Sequence, residues 1–266
     1  MVAAGFTDQD FALALGVTPV AVRDFIGPFP EEERPWARDL LEGVEFEKLD
    51  GNALNYERIA ALQPDVILYY SYLQDNEYDR LTQIAPTVVE AEGPYSWQEQ
   101  TLVTGRALGL QDRAEELVAE VQARFDEALA EHPEFAGKVA AVQFGEPEFF
   151  LLPPTEPIFG LFEALGFQAL EIVDSISREQ VELFDQGDVL VVIGGAQEDF
   201  ADDSLWQGLN AVREGRVVYF GGFGTVASGA LGFASPLSLP YVLDIAVPAL
   251  AAALDGDPAT LPEGTS

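Results

Sequence analysis

Two glutamates stand at matching places in the chain. Asn55-Tyr56-Glu57-Arg58-Ile59 and Ser177-Arg178-Glu179-Gln180-Val181 each read as a helix opening, with Asn55 or Ser177 as N-cap and a glutamate two residues on. The first segment runs through Gln63-Pro64-Asp65 into the apolar run 66–70, the second through Gly187-Asp188 into the apolar run 189–193. This repeat points to an internally duplicated chain. The chemistry open to Glu57 and Glu179 is electrostatic. A first-turn carboxylate gains about 0.3–1 kcal/mol from the helix dipole, and it also offers a partner a charged contact. Ser177 with Gln180 fits a capping box, which needs no partner.

Catalytic chemistry finds little support. His132 is the single histidine, in a Glu-His-Pro turn without an evident partner, and reads as a surface residue. No Gly-x-Ser-x-Gly elbow, P-loop or paired-histidine zinc motif occurs. Gly222-Phe223-Gly224-Thr225-Val226-Ala227 imitates a dinucleotide fingerprint, with Asp244 about twenty residues on. The stretch that follows, 228–232, does not read as an amphipathic helix, so the motif is taken as a decoy. Glu31-Glu32-Glu33 and Asp199, Asp202 and Asp203 lack the spacing of a calcium loop and read as solvated. Tyr69, Tyr70 and Tyr72 leave direct iron ligation as a minor alternative. No catalytic residue, resident metal or cofactor is expected, and a nucleotide- or metal-dependent enzyme is the remote alternative.

The elements that must position such residues alternate between strand and helix. Residues 2–4, 18–22, 66–70 and 87–89 read as strands, with a helix over 8–15 and a loop or short helix over 24–38. Over 97–131, Leu110, Ala114, Leu117, Val118, Val121, Phe125 and Leu129 recur at three- and four-residue steps, which predicts one long amphipathic helix bent near Gly109. Strands over 139–144, 149–152, 169–172, 189–193 and 217–220 follow, with helices over 158–165, 178–184, 205–213 and 239–254. The expected fold is α/β: two Rossmann-like lobes with mostly parallel sheets joined by one long α-helix. The expected division is 1–96, a connecting helix at 97–131, and 132–266.

Composition narrows the partners. The 266 residues carry 46 Asp and Glu against 13 Lys and Arg, a net charge of −33, so nucleic acid and anionic membrane surfaces are excluded as partners. Poverty in Arg and Lys favours a neutral or cationic ligand over a trianionic one. There are no cysteines. The opening Met1-Val2-Ala3-Ala4-Gly5-Phe6 looks like the start of a first strand, with any targeting segment lying before it.

The order of motifs resembles one family. The run 55–68, then 81–88, Trp97-Gln98-Glu99, 105–109, 132–138, Leu205-Trp206, 210–217 and 235–241 are together similar to the helix-hinged (class III) substrate-binding proteins of ABC importers. The likeness is greatest to the iron-siderophore binding lipoproteins of actinobacteria. It covers nearly the whole chain, although no single motif is diagnostic. The resemblance implies that Glu57 and Glu179 dock onto arginines of a membrane permease. It also implies a ferric siderophore as ligand, an extracytoplasmic place held through a lipid anchor outside this sequence, and a monomer. Haem or cobalamin is the alternative ligand, and among siderophores the charge favours hydroxamates.

The ligand is expected between the lobes, at the carboxyl ends of the strands. The loops there supply Phe6, Asp8, Trp36, Tyr70, Tyr72, Tyr95, Trp97, Phe144, Glu146, Phe150, Trp206 and Phe223 as candidate ligand-binding residues. About half of the aromatics in these loops should instead pack into the core, since strand residues alternate between faces.

Overall fold

A computed structural model of the chain describes residues 1–25, 34–70, 76–89, 96–145, 150–170 and 176–260. The chain forms two compact units, residues 1–121 with 233–238, and residues 122–232 with 239–266. The return of 233–238 to the first unit is invisible to sequence periodicity, because it depends on what those six residues pack against.

In the first unit the apolar runs become short strands separated by helices. In chain order these are β1 (Val2–Ala3), α1 (Asp8–Ala14), β2 (Ala21–Arg23), α2 (Arg38–Leu41), β3 (Glu47–Leu49), α3 (Tyr56–Ala61), β4 (Ile67–Tyr69), α4 (Glu77–Thr82), β5 (Thr87–Val89) and α5 (Trp97–Leu108). The sheet order is β3-β2-β1-β4-β5, and each neighbouring pair is parallel. Helices covering both faces explain why β1 and β4 read as unbroken apolar runs: Val2, Ala3, Ile67 and Leu68 are fully buried. On one face Val2, Ala21, Leu49, Ile67 and Tyr69 meet Ile59 of α3 and Leu81 of α4. Each such aliphatic side chain contributes about 1.5–3 kcal/mol by leaving water. β3 escapes detection in the sequence because Glu-Lys-Leu carries one apolar side chain, and it needs only one neighbour, β2, at the sheet edge.

The long helix expected over 97–131 is two helices, α5 and α6 (Gln111–Glu131). α5 opens with a capping box, in which the Glu99 N–H donates to Ser96 Oγ at 3.2 Å and the Ser96 N–H to the Glu99 carboxylate at 2.9 Å. It stops at Gly109, whose φ of 72° and ψ of 26° are left-handed, and Leu110 N–H then donates to Gly105 O at 2.7 Å. A Cβ at Gly105 would collide with Ala114, so the chain turns tightly enough to bring the start of α6 onto α5. The apolar steps continue through the break, which is why the period suggested a bend and concealed an interruption.

The second unit opens on β6 (Val139–Phe144) and β7 (Phe150–Leu151), followed by α7 (Gly160–Ala164), β8 (Gln168–Ala169) and β9 (Val189–Ile193). After these come α8 (Asn210–Arg213), β10 (Val217–Tyr219), α9 (Val226–Phe233) and α10 (Ser238–Leu254). The sheet runs β10-β9-β6-β7, with β8 also on β6; β10, β9, β6 and β8 are parallel and β7 is antiparallel. Every residue of β9 is buried. The second of the two repeated openings is a 3-10 segment, Arg178–Gln186, rather than an α-helix. Within it Gln180 leaves helical geometry (φ −110°, ψ 15°), and its side-chain oxygen accepts from the Ser177 N–H at 3.3 Å.

Residues after Gly224 form a helix, α9, with Ala227, Ala230 and Leu231 buried; its small and apolar residues carry no amphipathic period, in keeping with the reading of 228–232. One further reading is corrected. His132 has partners: its Nδ1 lies 2.9 Å from Glu134 Oε1 and its ring stacks on Phe135 at 5.0 Å. If Gly109 is a true left-handed cap, Gly109→Ala costs about 1 kcal/mol in a denaturant titration. Stabilisation by the same substitution would instead mean an uninterrupted helix.

Candidate ligand-binding site

In the first unit, parallel pairing in the order β3-β2-β1 sets three carboxyl ends side by side. Phe6 follows β1, Arg23 closes β2, and Gly51 lies just past β3. The Arg23 guanidinium lies 4.4 Å from the centroid of the Phe6 ring, its Nε donates to Gly51 O at 3.0 Å, and the residue is only 5% exposed. Phe6 meets Phe25 edge-on at 5.9 Å. Phe25 and Trp36 both meet Phe233, at 5.3 and 5.5 Å, and the Arg34 guanidinium lies 4.3 Å from the Phe233 ring.

Beneath these rings Asp10 is fully buried. Burial pushes its carboxyl pKa up, while Arg34 at 3.6 Å, the Ser235 hydroxyl at 2.8 Å and the Trp36 indole N–H at 2.8 Å oppose that shift. The Ser235 bond and the Phe233 contacts explain how residues 233–238 are held in this unit. Between Phe233 and Ser235, Ala234 sits at φ 43°, a left-handed conformation that its anchored neighbours enforce.

Two expected ligand residues of this unit have other duties. Asp8 is fully buried and accepts from Gly5 N–H at 2.6 Å and Tyr70 N–H at 3.0 Å, fastening the β1–α1 turn to the end of β4. Tyr70 is 5% exposed, with its hydroxyl 2.9 Å from Thr104 Oγ1 and its ring 5.8 Å from Phe11. Both fall to the same cause: a polar group at the sheet edge is within reach of backbone and α5 partners. Trp97 is half-buried at the start of α5, where its carbonyl accepts from Thr101 Oγ1 at 2.6 Å. Phe6 and Trp36 are half-buried and belong to the aromatic cluster. Tyr69 is core, as expected of a strand residue facing inward.

In the second unit the edge is built on glycine. Phe144 ends β6, and Phe223 follows β10 with its ring 5.0 Å from that of Phe144. A Cβ on Gly194, just past β9 with φ 94°, would strike Phe223 ring atoms at 2.5–2.9 Å, so the absent side chain is what lets the ring lie there. Phe223 is 50% exposed. Phe150, 45% exposed, stands opposite Phe144 in the β6–β7 pair, which puts three phenyl rings on one strand-end patch. Trp206 is not part of it. That residue is wholly buried, stacked on Phe200 at 4.2 Å, with its indole N–H donating to the Tyr219 hydroxyl at 3.0 Å. The Tyr219 partner is the reason a large polar-tipped ring is tolerated in the core. Tyr72, Tyr95 and Glu146 lie outside the described residues, as do Phe149 and Glu31 to Glu33.

Glu57 and Glu179 are both exposed, each in the first turn of its helical segment. Asn55 Oδ1 accepts from Arg58 N–H at 2.9 Å, the N-cap bond expected for α3, and Arg58 is in turn clamped to Glu47 of β3 by a second bond of 2.6 Å. Beside Glu57 is a groove of about 390 Å³ lined by Asp50, Leu54, Asn55, Tyr56 and Arg80. The Arg80 guanidinium lies 3.5 Å from the Tyr56 ring centroid.

Two outcomes test these placements. Trp206→Ala should cost about 3–5 kcal/mol in chemical unfolding, whereas Phe223→Ala should cost under about 1 kcal/mol, as a largely exposed ring. Burial first, then the hydrogen bond to Glu77, pushes the Tyr69 phenol up to about 12, against a pull from Arg23. Its folded-state pKa therefore exceeds the unfolded value of 10.0, so Tyr69 contributes stability that is complete below pH 10 and lost as pH rises toward 12. Tyr69→Phe should remove one late phenolate from an ultraviolet titration and flatten the alkaline loss of stability.

Known proteins resemble this arrangement. A sequence model of the periplasmic binding protein family matches residues 12–222. The chain is 27% identical to a probable siderophore-binding lipoprotein of Bacillus subtilis over 232 residues, 76% of this chain and 69% of that one. A periplasmic solute binding protein from Mycobacterium smegmatis is similar in structure, with a TM-score of 0.84 and 33% identity over 95% of this chain and 92% of that one. A Streptococcus pneumoniae protein crystallised with ferrichrome shares the fold, with a TM-score of 0.80 and 24% identity over 96% and 93% of the two chains. The chain belongs to the periplasmic binding protein family.

Proposed function

We propose that the chain is the substrate-binding protein of an ABC importer and that its ligand is a ferric siderophore. The observation that carries this reading is the pair of aromatic carboxyl edges, Phe6 with Trp36 and Phe233 in one unit and Phe144 with Phe150 and Phe223 in the other. Rings of this kind suit a bulky chelate whose metal is already wrapped by its own oxygens, and they offer no acid–base pair for turnover. The relative from Bacillus subtilis, named as siderophore-binding, supports the ligand class.

A hydroxamate chelate, neutral or cationic, fits best. Arg23 and Arg34 are the cations nearest the first edge, but both are buried, and Arg34 faces the Asp10 carboxylate. Against a net charge of −33 these two buried cations offer little positive field to a trianionic catecholate. Glu57 and Glu179, exposed on separate units, are the contacts proposed for permease arginines. The protein acts outside the cytoplasmic membrane, held there by a lipid anchor, as a monomer.

A fluorescence-quenching screen over ferric hydroxamates, ferric catecholates, ferric citrate, haem and cobalamin tests the ligand. Ferric hydroxamates should bind at least about tenfold tighter than the others, a difference of 1.4 kcal/mol. A Soret shift with haem and no response to ferric chelates would replace the siderophore with haem. Glu57→Ala and Glu179→Ala should each leave chelate affinity intact and lower uptake by cells carrying the importer. Undiminished uptake by the double variant would remove the docking role.

A further inference from the structure

We infer that Arg23 is a positioning residue that couples the ligand edge of the first unit to the loop leading into α3, the helix that carries Glu57. This inference rests on the ligand and docking roles proposed above. The strand order makes β2 the only strand between β1, which delivers Phe6, and β3, which delivers the 50–55 loop. Arg23, the last residue of β2, touches both neighbours: its guanidinium lies 4.4 Å from the Phe6 ring centroid, and its Nε donates to Gly51 O at 3.0 Å. Gly51 is itself buried, four residues before the Asn55 cap whose Oδ1 holds the Arg58 N–H at 2.9 Å.

One planar cation is therefore in contact with the ring proposed to meet ligand and with the backbone that sets where α3 begins. At 5% exposure Arg23 has no room to change rotamer independently, so a shift of Phe6 passes to the guanidinium and from there to the Gly51 carbonyl. A second arm runs inward. Arg23 lies close enough to the Tyr69 phenol to oppose its raised pKa, and the Tyr69 hydroxyl bonds Glu77 of α4, the helix whose Arg80 covers Tyr56. Both arms end beside Glu57, at Asn55 and at Tyr56. The role requires the guanidinium fork. A lysine would keep the charge, but its single ammonium could not both donate to the carbonyl and present a planar cation to the ring.

The test is hydrogen exchange, read by mass spectrometry, on the purified chain with and without saturating ferrichrome or ferrioxamine B. Binding is confirmed in the same samples by fluorescence quenching. Because ligand stabilises the whole fold, the quantity compared is the slowing of residues 50–58 relative to residues 101–108 of α5, which carry neither arm of the coupling. In the wild type the 50–58 segment should slow by about fivefold more than that α5 segment, at the low end of ordinary coupling between sites. Arg23→Lys should bind chelate several-fold more weakly and, at saturation, lose that excess slowing. Phe6→Leu, which removes the ring but leaves the Arg23–Gly51 bond, should lose it too.

No excess slowing in the wild type at saturation would overturn the coupling while leaving the ligand assignment standing. The same excess in Arg23→Lys as in the wild type would also overturn it. If neither chelate binds, the hydroxamate reading falls and takes this coupling with it. Should Arg23→Lys fail to fold, the wild-type comparison and Phe6→Leu still decide.

Discussion

Parallel strand pairing is the constraint on which the rest of the molecule depends. Because β1 to β5 run in one direction, every strand of the first unit releases its chain at the same edge, and each residue just past a strand end is brought beside residues distant in sequence. Phe6, Arg23 and Gly51 meet for that reason alone. In the second unit β6, β9 and β10 repeat the arrangement with Phe144, Gly194 and Phe223. The antiparallel β7 adds to this edge by bringing Phe150 back opposite Phe144. Reversing one of the central strands would scatter these groups between two edges.

The way charge is distributed follows from the same architecture. Thirteen basic residues must serve a chain with 46 carboxylates, yet Arg23 and Arg34 are withdrawn from solvent. Taking a guanidinium out of water is costly unless its N–H groups and charge are matched. The Arg34 charge is opposed by Asp10 and meets the rings of Phe233 and Phe25, while Arg23 meets the Phe6 ring and donates to the Gly51 carbonyl. Both cations are thereby committed to fixing aromatic rings and loops at the strand ends. Asp10 completes the arrangement by joining α1, Trp36 and Ser235, so that a segment more than two hundred residues away in sequence is part of the same cluster.

Much of the fold was legible in the residues. The runs at 66–70 and 189–193 could only be buried strands, and Asn55 announced the start of α3 before its bond to Arg58 was seen. Features that depend on three-dimensional neighbours were not legible. β3 is recognisable only beside β2, and α9 has no polar face to give it a period. At the candidate site, Phe6, Phe144, Phe150 and Phe223 could be named because an aromatic at or just past a strand end is a local signal, and with Trp36 they remain the residues proposed for ligand contact. Asp8, Tyr70 and Trp206 misled for a related reason. Each sits where a ligand residue would, and only the tertiary partners, the Gly5 and Tyr70 N–H groups, Thr104 and Tyr219, show that its polar atoms are already occupied. Arg34 carried no signal of its importance, since burial of a cation is written in the packing around it.

The central claim, that the aromatic strand ends of both units hold the ligand, is tested most directly by chelate affinity. Phe6→Ala and Phe223→Ala should each weaken binding of ferrichrome or ferrioxamine B by about tenfold or more, the loss expected of a buried aromatic anchor. Thermal unfolding without ligand should confirm that both variants remain folded. Wild-type affinity in either variant would contradict the assignment for that unit.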